Sequence, residues 1–145
     1  MASGASDYLE NVLLDSILGR KTTALSTGTN STLFVALLTI AYTDAWTPLA
    51  TGECAGSTYA RVNVTNSSAQ WRLSTGGSVT NKATLTFTTS AGTDWGTIKS
   101  VALLDTSSTT TGNFLWGADL TGGDAVIASG NTVSFATGAL VVTQA

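Results

Sequence analysis

Histidine is absent from the 145 residues, cysteine and proline occur once each, and charged side chains make up only 10%. Each shortage excludes some chemistry. Without His, Ser-His-Asp and Cys-His catalysis and His metal sites are out of reach. A lone Cys54 closes no disulfide within the chain and builds no Cys-based zinc site. A single proline rules out a Pro-rich linker or a collagen-like chain. The net charge is −3, and the six cations (Arg20, Lys21, Arg61, Arg72, Lys82, Lys99) are scattered apart from the first pair. No basic stripe therefore exists for nucleic-acid phosphates. The longest apolar run, Leu33–Leu38, falls far below the roughly 20 residues of a spanning helix. Asp7 and Glu10 interrupt the first apolar stretch, and no basic region precedes it, which argues against a Sec-type signal peptide. The expectation is a chain without a membrane partner, made in a cytoplasm.

Hydroxyl groups stand where charge is missing: 27 Thr and 16 Ser are present. Threonine is β-branched and favours strands. Only the start has a helical pattern. Asp7 and Glu10 have the spacing of a capping box, with Asp7 as N-cap, and Leu9, Val12, Leu13, Ser16 and Ile17 then share one face. Gly19 suits the helix end, with Arg20 and Lys21 beside the negative end of the dipole. A helix this short needs a clamp, either its own sheet or a neighbouring subunit.

From Leu33 the period is two. Strands are expected over Leu33–Ile40, Tyr59–Thr65, Ala83–Thr88, Ile98–Asp105, Phe114–Leu120, Asp124–Ile127, Thr132–Phe135 and Ala139–Thr143, with Gly-, Ser- and Thr-rich turns between them. Val101 to Leu104 are apolar on both faces, which predicts a central strand; Phe114, Trp116, Ala118 and Leu120 are expected to point one way. Nothing between the strands is long enough for crossover helices. The fold class is therefore all-β, an antiparallel β-sandwich or jelly-roll-like domain with one short N-terminal α-helix. Residues 1–20 read as an arm and helix, and residues 21–145 as the sandwich. Residues 42–57, with Trp46 and Pro48, read as a surface excursion anchored by Trp46.

The nine carboxylates sit mostly at turns and strand ends, where Asp binds its own backbone, rather than in the opposed pair of a glycosidase. Asp119 and Asp124 flank a turn without the spacing of a calcium loop. Cys54 lacks a base to activate it and reads as a free, partly buried thiol. No nucleotide-binding loop occurs, so no enzyme, cofactor or metal is expected. Trp116 reads as core, whereas Trp71 and Trp95 are candidates for either core or sugar contact.

A free soluble domain carries far more surface charge, and open strand edges normally carry charged blockers. A neutral, Thr-covered sheet docks with little desolvation penalty, which points to an assembly subunit. Several blocks, in order, carry a resemblance: Ser6-Asp7-Tyr8-Leu9-Glu10-Asn11 with Leu13-Leu14-Asp15, Phe34-Val35-Ala36-Leu37, and Gly56-Ser57-Thr58-Tyr59-Ala60-Arg61. Asp94-Trp95-Gly96-Thr97-Ile98 with Val101-Ala102-Leu103, and Phe114-Leu115-Trp116-Gly117, complete it. Together they resemble small virion structural proteins of tailed phages, a family often labelled tail fibre protein. The resemblance implies a virion component with no enzymatic activity and no cofactor. The leading expectation is a capsid decoration (cement) protein, a homotrimer that clamps the major capsid protein through its N-terminal arm. The alternative is a tail fibre or baseplate subunit, with host-glycan contact through Trp71 or Trp95. The interface candidates are Tyr8, Leu9, Val12, Leu13, Trp46, Trp71 and Trp95.

Overall fold

The computed structural model describes residues 3–10, 32–48, 51–65, 67–87, 92 and 94–143. It is an all-β, sandwich-like fold whose paired strands are all antiparallel. Five strands form the main sheet in the order β1 (Ser3–Ala5), β8 (Phe114–Asp119), β7 (Ser100–Leu104), β2 (Thr32–Leu38) and β3 (Val62–Thr65). Three two-stranded pairs complete the fold: β4 (Ser78–Thr80) with β11 (Val141–Thr143), β5 (Leu85–Thr86) with β10 (Ser134–Phe135), and β6 (Gly96–Ile98) with β9 (Ala125–Ile127).

The apolar-both-faces pattern of β2 and β7 follows from their place inside the main sheet, with side chains packed on either side. On one face Val35, Leu37, Val101, Leu103 and Trp116 meet Leu85 and Ile98 from the paired strands and Phe87, Trp95 and Leu140 beside them. On the other, Ala36, Leu38, Ala102, Leu104 and Phe114 lie under Trp46, Ile40 and Tyr42. The central placement expected for Val101–Leu104 is observed, and Trp46 anchors the excursion by packing edge-on to Phe114 at 5.4 Å.

Several local expectations are overturned. Phe114 and Trp116 do not share a face. Leu103 pairs with Trp116 but Leu104 pairs with Phe114, so Leu115 is an extra residue, a β-bulge that re-aims the strand. Arg61, a polar position alternating with the apolar Ala60, Val62 and Val64, is nevertheless buried, because a loop carboxylate meets it inside. Ahead of the helix, β1 pairs with β8 through Ser3–Ala118, Gly4–Gly117 and Ala5–Trp116. Ile98–Asp105, read as one strand, is two, broken at Lys99, and β4 had no counterpart among the expected strands.

The helix begins at residues 7–10 and its cap is Ser6, not Asp7. Ser6 Oγ accepts the Leu9 N–H at 3.3 Å, and the Ser6 carbonyl accepts the Glu10 N–H at 3.0 Å. The same hydroxyl donates to the Phe114 carbonyl, while the Ser6 N–H donates to the Leu115 carbonyl at 2.9 Å. One buried serine thus caps the helix and satisfies both carbonyls at the bulge. Asp7 keeps a favourable place at the positive end of the helix dipole. Ser6→Ala removes a cap and strands a buried carbonyl, a cost of about 1–3 kcal/mol. Urea unfolding checks it; a loss below about 0.5 kcal/mol would mean the bulge is satisfied another way.

Candidate functional site

The interface candidates separate into exposed and interior groups. Tyr8 is 45% exposed, beside a shallow groove also lined by Asp7, Asp44, Ala45 and Trp46. Leu9 is half-buried; Val12 and Leu13 lie outside the described residues. Trp46 and Trp95 are core residues, 4% and 3% exposed, so neither offers a free aromatic face. Trp95 packs edge-on to Tyr59 at 5.5 Å, and Tyr59 stacks on Phe87 at 6.3 Å. Trp71 alone of the two sugar-contact candidates reaches the surface: half-buried, it packs against the core and also borders an open cleft.

Three carboxylates hold backbone. Asp105 accepts the Asn113 N–H at 2.7 Å and its side-chain amide at 2.6 Å; Asp94 accepts the Ser129 N–H, and Asp119 the Tyr42 N–H, each at 2.7 Å. Asp124 faces Lys99 at 3.6 Å, so Asp119 and Asp124 serve different partners.

Glu53 belongs to a buried knot that the sequence reading missed. Arg61 donates to both its carboxylate oxygens, at 2.8 and 2.6 Å, and Tyr59 donates its hydroxyl at 3.1 Å. The remaining guanidinium arm reaches the Thr106 carbonyl at 3.0 Å, and the Tyr59 oxygen accepts the Leu37 N–H at 3.0 Å. The planar guanidinium suits two-point pairing with a carboxylate, and the knot joins the 51–61 loop to β2 and to the 105–113 loop. The sequence signal was a single Arg alternating within an apolar strand, eight residues after a lone Glu.

Cys54 is buried next to this knot, and its thiol donates to the Trp95 carbonyl at 3.6 Å. Burial, with Glu53 adding, pushes its pKa up to about 11, the reverse of what a nucleophile needs. Burial, then Glu53, also raises the Tyr59 phenol. Both groups are held neutral by folding. Below pH 9 the thiol is protonated in either state; between about 9 and 11 the unfolded thiol ionises first, so stability falls as pH rises. The urea midpoint is expected to drop between pH 8 and pH 10.5, and Cys54→Val to flatten that fall.

The cleft beside Trp71 lies on a hairpin. Trp71 bridges Asn81 and Thr75 bridges Ser78, with Gly76 and Gly77 between them at φ 59° and 78°. Two successive positive φ values make the tight turn whose twist suits a hairpin, a conformation glycine adopts without strain. Asn81, fully buried, fixes the base. Its amide donates to the Ala83 and Ala136 carbonyls at 2.8 and 2.9 Å, and its oxygen accepts the Leu140 N–H at 2.9 Å.

The fold is an antiparallel sandwich in which Asp94, Asp105 and Asp119 accept backbone N–H groups and Glu53 and Asp124 pair with cations. The family model described as Podophage GP4 fiber I protein gp80 matches residues 4–143, and the chain belongs to that family. It is a phage fibre-family, virion structural protein. No match was found among curated proteins.

Proposed function

We propose that the chain is a non-enzymatic subunit of a phage tail fibre, working as a homo-oligomer with three copies as the expected number. The observation that carries the reading is the fibre-family match along residues 4–143. It favours the fibre over the capsid-decoration role that the chain's size and low charge first suggested. The surface chemistry supports assembly: the two edge strands of the main sheet, Ser3–Ala5 and Val62–Thr65, contain no charged residue, so further subunits can approach without ions being stripped of water. Neighbouring virion proteins are the proposed partners.

Location and copy number test it. Antibody labelling of purified virions in the electron microscope, with quantitative mass spectrometry of the same particles, is expected to place label on the tail at a few dozen copies at most. Label spread over the shell at hundreds of copies would overturn the fibre assignment and restore capsid decoration.

A further inference from the structure

Charge is scarce in this chain, and most of it is satisfied internally. Among the described residues Arg61 pairs with Glu53 and Lys99 with Asp124, while Asp94, Asp105 and Asp119 accept backbone N–H groups. Arg72, Lys82, Asp7, Glu10 and Asp44 are left, all exposed and none in an ion pair among the described residues. They are sorted by sign. The cations lie on the 71–82 hairpin, and the carboxylates gather at the start of the helix and in the 42–48 segment beside it.

The register puts the cations on one face. The Arg72 N–H donates to the Thr80 carbonyl at 2.9 Å and the Lys82 N–H to the Gln70 carbonyl at 2.7 Å, and Thr80 pairs in turn with Val141 of β11. Cross-strand partners share a face, so Arg72, Thr80 and Val141 form one row across three strands, with Lys82 diagonal to it. Trp71 and Asn81 turn the other way, to the core. Val141 is 41% exposed, an apolar contact on a cationic face. The Lys82 ammonium rests on the Ser68 carbonyl at 3.2 Å, which leaves it donors to spare.

The acidic patch is the counterpart. Asp7, Tyr8, Asp44 and Ala45 rim a groove over Trp46 with a volume of about 280 Å³. That is less than the roughly 300–1,000 Å³ of small-molecule pockets, and it suits the side chains of a docked surface. The carboxylates converge there: burial, then Asp44, Glu10 and Asp7, raises the neighbouring Tyr42 phenol above its ordinary range. Tyr8, 45% exposed, supplies the apolar contact.

We propose that the cationic hairpin face of one copy docks on the acidic groove of the next, with Arg72 and Lys82 facing Asp7 and Asp44 and Val141 against Tyr8. The occupant is a second copy because the two patches are the charges that a single chain leaves unmatched, opposite in sign and similar in number. Exposed ion pairs add little affinity. Burial of Tyr8 and Val141 therefore supplies attraction, while the charges fix the register and keep like patches apart. Each copy gives its hairpin to one neighbour and its groove to the other, the head-to-tail arrangement from which closed rings are built. The inference rests on the homo-oligomer part of the proposed function and adds which surfaces meet.

The test uses the full-length chain. An equal mixture of unlabelled and heavy-nitrogen-labelled copies is treated with a water-soluble carbodiimide, which joins a lysine amine to a carboxylate in direct contact, and is digested for mass spectrometry. Links from Lys82 to Asp7 or Asp44 that join a labelled to an unlabelled copy are expected. Sedimentation at several concentrations follows self-association. Arg72→Glu with Lys82→Glu is expected to weaken it on the order of a hundredfold, as is Asp7→Lys with Asp44→Lys, and added salt is expected to weaken that of the parent. The hairpin pair occupies exposed positions, so its thermal unfolding is expected to be unchanged. All four substitutions in one chain are expected to restore association, because the reversed patches match again. An oligomer that survives both reversals, the absence of mixed-label Lys82 links, or a fourfold variant that stays apart would each overturn the inference and leave the homo-oligomer standing. A parent chain that stays single at millimolar concentration would overturn both. None of these outcomes bears on where the protein sits in the virion.

Discussion

Replacing Arg61 by alanine is expected to cost about 3–5 kcal/mol, enough to unfold much of the population of a domain of ordinary stability. The size follows from what is left behind. Arg61 makes two bonds to Glu53 and one to the Thr106 carbonyl, with its side chain 0% exposed and that of Glu53 7% exposed. Truncation leaves a carboxylate and a carbonyl in a dry site without their donor. The pair itself is not strongly stabilising, because removing two ions from water costs about as much as their attraction returns. Arg61→Met combined with Glu53→Leu is therefore expected to regain most of the loss. Urea unfolding of the single and double variants decides it. A single variant within about 1 kcal/mol of the parent would mean that water reaches the pair and screens it.

Trp95→Ala has the second large effect, again about 3–5 kcal/mol. Its ring is 3% exposed among Tyr59, Phe87 and Cys54, and truncation opens a cavity at the centre of the larger core cluster. Trp95→Phe is expected to be far milder, since the indole N–H makes no hydrogen bond among the described residues and the ring-on-ring contact with Tyr59 is kept. Thermal and urea unfolding of both variants test this. Equal stability of parent and Trp95→Ala would return Trp95 to the surface and reopen it as a contact residue.

The candidate site was legible only in part. Trp71 was singled out as a contact residue on composition and position, but Trp95 could not be told from it, because both stand at segment ends beside polar neighbours. Which ring is covered depends on strands far along the chain: Trp95 takes its cover from Tyr59, Phe87 and the strand pair formed with residues 125–127. The cap slipped by one residue for a similar reason. Asp7 and Ser6 are both good caps locally, and the choice fell to Ser6 because its hydroxyl also meets the bulge carbonyl more than 100 residues away.

By itself the sequence determined the all-β antiparallel class, the central place of Val101–Leu104, the anchoring of the 42–57 excursion by Trp46 and the character of a virion structural subunit. These follow from period, composition and ordered blocks of residues, which are local or additive properties. Only the tertiary structure decided that Leu115 bulges and sends Phe114 and Trp116 to opposite faces, that Arg61 turns inward to Glu53, and that Arg72 and Lys82 share one face of a hairpin. Each depends on pairing between distant segments. A one-residue slip in register reverses every side chain beyond it, and no local pattern carries that information.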